Sequence, residues 1–190
     1  SISTINSLIA EIDRKLSEQI NLILHQDEFR ELEGTWRGLH YLVNNTETDE
    51  MLKIKVFNVS KTDLRKSLSK FEGTAWDQSP LFKQIYEEQY GTRGGKPFGA
   101  LIGGYNFDHT APDVKLLAGV AQIAAASFAP FFAAAAPSLL GMDSWRELNN
   151  PRDLTKIFAP AEYAAWNSFR KTDDARYIGL TLPRFLARMP

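Results

Sequence analysis

Gly91, Gly94, Gly95, Gly99, Gly103 and Gly104 crowd the stretch YGTRGGKPFGALIGGYNFDH that begins at Tyr90, with Arg93 and Lys96 inside it and His109 at its end. Glycines beside a lysine are the raw material of a phosphate cradle, in which backbone amides wrap an anion and the ammonium meets its charge. A P-loop requires GxxxxGK[ST]. Around Gly95 and Lys96, Tyr90 stands at the first glycine position and Pro97 at the hydroxyl position, so both the wrap and the magnesium ligand are missing. A dinucleotide fingerprint would follow a strand and open a helix. These glycines instead precede the apolar run FGALIGGYNF and have the wrong spacing. The stretch reads as a turn-rich entry into a buried strand, with Gly103 and Gly104 easing its exit. The competing reading is an α/β enzyme domain that holds an anionic ligand at 91–104 through Arg93 or Lys96.

Other chemistry is thinner still. His25, His40 and His109 fall in neither HExxH nor HxH spacing, so no metal set forms among them. Asp173 and Asp174 beside Arg176 are adjacent on a loop, where side chains point apart into solvent. No GxSxG elbow exists, and the absence of cysteine removes thiol nucleophiles and thiolate ligands while favouring a reducing compartment. Trp36, Trp76, Trp145 and Trp166 are too dispersed for a base-stacking platform. No catalytic, cofactor-binding or metal residue is assigned, no cofactor is expected, and the chain is not expected to be an enzyme.

Composition agrees with a cored scaffold. The 190 residues are 44% hydrophobic and 12% aromatic, and 22 basic against 23 acidic residues leave a formal charge of −1. That length supports one well-buried domain with room for an appended arm. The even charge gives no polybasic surface for nucleic acid or anionic lipid. Both ends read as cuts within a longer protein: SISTINSLIAEIDRKLSEQI has neither an initiator methionine nor the layout of a signal peptide, and GLTLPRFLARMP is apolar to its last residue.

The elements follow from periodicity. Ile5, Leu8, Ile9, Ile12, Leu16, Ile20 and Leu24 recur at helical spacing with charges between them, and Phe29, Leu32, Trp36, Leu39 and Val43 form a second stripe ended by NNTETD at 44–49. MLKIKVFNVS at 51–60 alternates like a strand. Ser60 and Asp63 open a short helix through Phe71, and SPLFKQIYEEQYG forms another between Ser79 and Gly91. FGALIGGYNF is a strand, after which Pro112 and Asp113 open a long helix. From Leu116 to Leu140 no residue is charged, yet alanine dominates the run and Pro130 breaks it, so a buried or subunit-contacting helix is expected there rather than a membrane span. Two short helices with Pro151 and Pro160 near their starts follow, then a strand, YIGLTLPRFLA, stopped by Pro183. This order predicts an α/β fold with a mainly parallel or mixed sheet flanked by helices, preceded by an N-terminal amphipathic helical arm. The arm spans 1–26 and the α/β domain 27–190. Its narrow stripe makes Ile9, Ile12, Leu16 and Ile20 the candidate partner-interface residues; the alternative is that the stripe folds back on its own domain.

Five blocks in order, EFRELEGTWRGLHYLV from 28, LKIKVFNVSKTDL from 52, SPLFKQIYEEQYGTRGGKPFGALIGGYNF from 79, FAPFFAAAAPSLLG from 128 and DDARYIGLTLPRFLARMP from 173, resemble the large sheath subunit of the bacterial type VI secretion system, the TssC or VipB family. The resemblance covers the chain from about residue 28 onward. It implies the N-terminal portion of a non-catalytic structural subunit in the bacterial cytoplasm, without membrane insertion. Such a subunit pairs with a small sheath subunit and polymerises with other copies of itself into a contractile helical tube. It also implies that contact with the inner-tube protein falls mainly to the C-terminal part missing here.

Overall fold

The computed structural model describes residues 2–150 and 153–186. They fall into two compact units, one running to Val56 and taking in the segment from Phe185, the other running from Phe57 to Arg184.

The first unit holds two helices. α1 (Ile2–Leu24) and α2 (Asp27–Asn44) are separated by a turn at His25 and Gln26. No side chain caps the start of α2, but Asp27 and Glu28 place negative charge in its first turn, where the helix dipole favours it. Its C-terminus is closed by side chains: Asn44 Nδ2 donates to His40 O at 2.9 Å, Asn45 Nδ2 to Tyr41 O at 2.8 Å and Thr46 Oγ1 to Leu42 O at 2.6 Å. These bonds occupy carbonyls that would otherwise lack partners. Asp49 then accepts the amides of Met51 and Leu52 in a tight turn.

In the second unit, α3 (Lys61–Ser69) starts at Ser60, whose hydroxyl accepts the Asp63 amide at 3.0 Å. A helical run follows, with α4 (Pro80–Phe82) and α5 (Glu88–Tyr90) on either side of a π-helical segment, Lys83–Glu87. β1 (Leu101–Phe107) leads into α6 (Ala111–Ala126), β2 (Phe131–Ala135), α7 (Ala164–Phe169) and β3 (Ile178–Thr181). The strands lie in order β1-β2-β3, all parallel, and the predicted α/β class with a helix-flanked parallel sheet is what the structure contains. One core, built from Leu117, Val120, Ala121 and Ile123 of α6, Phe107, Phe131 and Ala133 of the sheet and Tyr163, Trp166 and Phe169 around α7, fills the space between sheet and helices.

Three local expectations are corrected. Residues 52–60 form neither helix nor strand, although they alternate, and the Val59 carbonyl accepts the Tyr105 hydroxyl at 2.6 Å. The alanine-rich run is not one helix but α6 followed by β2. The helix stops in a Schellman cap, with Ala129 N donating to Ala124 O at 3.0 Å and Phe128 N to Ala125 O at 3.2 Å, and Phe128 takes the left-handed position at φ 52°. Pro130 then enforces extension into the central strand, where small side chains fit between layers. The segments expected as two short helices are mostly 3-10 turns, Trp145–Asn149, Ala161–Tyr163 and Asp173–Tyr177, around the short α7. Pro151, expected at a helix start, and residues 187–190 at the chain's end lie outside the described residues.

Candidate partner interface

Several glycines of the stretch that invites a phosphate have structural work. Gly94 takes φ +83°, closed to most side chains. Gly103 lies under the ring of Phe131, where a Cβ would come within 2.4 Å of Cζ. The register shift between Ile102 and Asn106 marks a bulge in β1, and glycine suits a bulge. Arg93 and Lys96 are exposed. The stretch leads into β1 rather than out of a strand into a helix, so no helix N-terminus stands behind it to hold an anion. Among the described residues the strand order β1-β2-β3 does not reverse, so these three strands form no crevice of the kind where doubly wound folds bind nucleotides. The reading of 91–104 as an anionic-ligand site has no support.

The remaining candidates are dispersed. His25 is exposed in the turn between α1 and α2 and His40 on α2, while half-buried His109 stacks on Tyr163 with ring centroids 4.1 Å apart. Among the described residues no group of three His, Asp or Glu side chains could hold a metal. Asp173 and Asp174 sit in the 3-10 turn before β3. Trp76 and Trp166 pack in aromatic clusters, Trp76 edge-on to Phe82 at 5.1 Å and Trp166 against Phe169 at 6.0 Å.

One charged network joins distant parts of the second unit. Lys61 Nζ donates to Asp113 Oδ2 at 2.7 Å and to Asn106 O at 2.6 Å, and lies 4.5 Å from the Phe107 ring centroid. The same Asp113 oxygen accepts the Asp108 amide at 2.9 Å. Next to it, burial pushes the Asp108 carboxyl up, but the Thr110 hydroxyl and amide, helped by the charges of His109 and Lys61, bring it below the ordinary aspartate value. This network pins α3 to the β1–α6 turn.

The helix surface of the first unit carries an exposed apolar stripe. At 3.6 residues per turn, Ile9, Ile12, Leu16 and Ile20 fall within an arc of about 80° on α1, and no residue of α1 is buried. Ile12 and Leu16 are 56% and 55% exposed. Opposite them, Arg14 pairs with Glu11 at 2.7 Å and with Glu18 at 2.5 Å, and Lys15 approaches Glu11 at 3.6 Å. The Glu11 bond, with that of Glu18, raises the Arg14 guanidinium above its usual value, and Arg14 holds Glu11 below the usual carboxylate range. α2 repeats the arrangement, leaving Leu32 and Trp36 exposed and forming Arg37–Glu33 at 2.8 Å. Charged pairs thus stiffen one side of each helix while the other carries aliphatic and aromatic side chains in water. Such a surface is suited to receive an apolar partner.

A family model described as VipB: EvpB/VC_A0108, tail sheath N-terminal domain, matches residues 6–190. The chain is 61% identical over its 190 residues to the type VI secretion system sheath protein TssC1 of Pseudomonas aeruginosa, an alignment that covers 100% of this chain and 38% of that relative. The chain thus spans well under half the length of the relative.

Proposed function

We propose, because this chain belongs to the VipB family of tail sheath N-terminal domains, that it is the N-terminal portion of a structural subunit of a contractile type VI secretion sheath. In this reading the subunit works in the bacterial cytoplasm without catalysis, pairs with a small sheath subunit and polymerises with its own copies around an inner tube. Contact with that tube falls mainly to the portion beyond residue 190. The observation that carries the reading is the identity to TssC1 along the whole of this chain. The non-catalytic part draws support from a glycine stretch spent on turns and a bulge. No helix among the described residues is long and apolar enough to cross a membrane.

Within that function, the 1–26 arm is the pairing element, with Ile9, Ile12, Leu16 and Ile20 as knobs for a groove of the small subunit. An aliphatic stripe of this kind gains about 25 cal/mol for each Å² taken out of water, and aspartates placed in it would have to be desolvated without partners. Replacing Ile12 and Leu16 together by Asp in the full-length chain, co-expressed with the small subunit, is expected to abolish co-purification while leaving the melting temperature of the chain unchanged. Retained pairing with a large fall in melting temperature would return the stripe to the chain's own fold.

A further inference from the structure

The helices of the second unit gather on one side of its sheet. Strands in the order β1-β2-β3, all parallel, step the chain in a single direction, and right-handed crossovers taken in one direction leave both connections on the same face. α6 and α7 accordingly share one core with Phe107, Phe131 and Ala133, and α3 joins that cluster through Leu64 and Leu68. On the other face Ile102, Phe132 and Gly179 form one register row, and Asn106, Ala134 and Thr181 the next. Ile102 is 66% exposed and Phe132 41%. Parallel sheets occur almost only with both faces covered.

We propose that this open face is covered, in a chain of the relative's length, by an apolar helix stripe from the portion beyond residue 190, making the sheet the middle of three layers. The length for it exists: the aligned region is 38% of the relative, and the matching family model describes an N-terminal domain. The topology allows it, because a chain leaving edge strand β3 reaches the second face when its next connection runs back toward β1, the reversal that builds doubly wound sheets. The chemistry of the face fits it too. Neither register row contains a charge, and the Phe132 ring lies over Gly179, where a Cβ would stand 2.6 Å from Cδ1. Glycine and alanine beside that ring let a helix approach closely. With Ile102, Phe132, Ala134 and Gly179 beside only two polar residues, Asn106 and Thr181, the face resembles a domain core cut open more than one side of an interface between separately soluble molecules. The inference goes beyond the partner reading, since the same chain makes the layer before any assembly.

The 190 residues contain no cysteine, so Ile102→Cys and Phe132→Cys, introduced singly into the full-length chain with any remaining cysteines replaced by serine, report on the face directly. Thr62→Cys, at an exposed position of α3, is the open reference. In the full-length chain purified without the small subunit, maleimide labelling at 102 and 132 is expected to be at least about tenfold slower than at 62, whatever the protein concentration. Labelling at the rate of position 62 overturns the proposal. So does protection that grows with concentration, which assigns the face to a second copy, or protection that requires the small subunit, which assigns it to that partner. Phe132→Cys removes a packed ring and could fail to fold, whereas Ile102→Cys removes an exposed side chain and keeps the test decisive. The Ile12 and Leu16 double substitution tests pairing alone and leaves this labelling pattern unchanged.

Discussion

Asp113 receives the Lys61 ammonium from 52 residues earlier in the chain and the Asp108 amide from its own turn. It is 8% exposed. Asp113→Ala leaves Lys61 without its counter-charge and the Asp108 amide without its acceptor, which should cost about 1–3 kcal/mol. For a chain of this size that lowers the melting temperature by roughly 2–4 °C per kcal/mol. Lys61→Met combined with Asp113→Asn should lose less than the two single losses added, because no charge is then stranded; strict additivity in a melting cycle would mean that the pair does not couple. Asp108 contributes to the acid limb. Its folded carboxyl titrates below the unfolded one, so its contribution is fully present above the ordinary aspartate value and is lost as pH falls through the depressed one. Thr110→Val removes the hydroxyl donor and shrinks the depression. The melting difference between wild type and variant should therefore be larger at about pH 6 than at about pH 3, and a gap that stays constant with pH would remove Asp108 from the account.

At the scale of elements, the β1 bulge depends on Gly103 meeting the Phe131 ring. Gly103→Ala must push that buried ring into a filled core, a change costing about 1–3 kcal/mol, read as a lower melting midpoint. An unchanged midpoint would show that the bulge can absorb a methyl group. Helices with a strong apolar period, α1 and α2, were legible in the sequence, and so were the cap at Ser60, β1, and β3 before Pro183. The strand expected at 51–60 is not formed, because alternation reports an amphipathic surface and does not by itself fix a ladder. The alanine-rich run misled for a different reason. Alanine is the best helix former, and the competing signal was a Schellman cap whose left-handed position is held by Phe128, a residue with no turn preference. The Lys61–Asp113 pair had no signal at all, since its members belong to different elements far apart in the chain.

For the whole molecule, the division between Val56 and Phe57 matters as much as either unit. Residues 52–60 join the units with no helix or strand among them, and Lys53 and Lys55 stand exposed there. Protease active sites require extended backbone, which helices and ladders deny them. Brief trypsin digestion of the chain should cut after Lys53 or Lys55 before it opens α3 or α6, leaving α1 and α2 on one peptide and the sheet on the other. First cuts inside 61–126 would contradict that order. On the proposed pairing, the peptide that carries α1 should keep its capacity to bind the small sheath subunit after the nick. Because the segment from Phe185 groups with the first unit, the nick breaks only one covalent crossing between the units, and the connection becomes the point at which the chain can be opened without being unfolded.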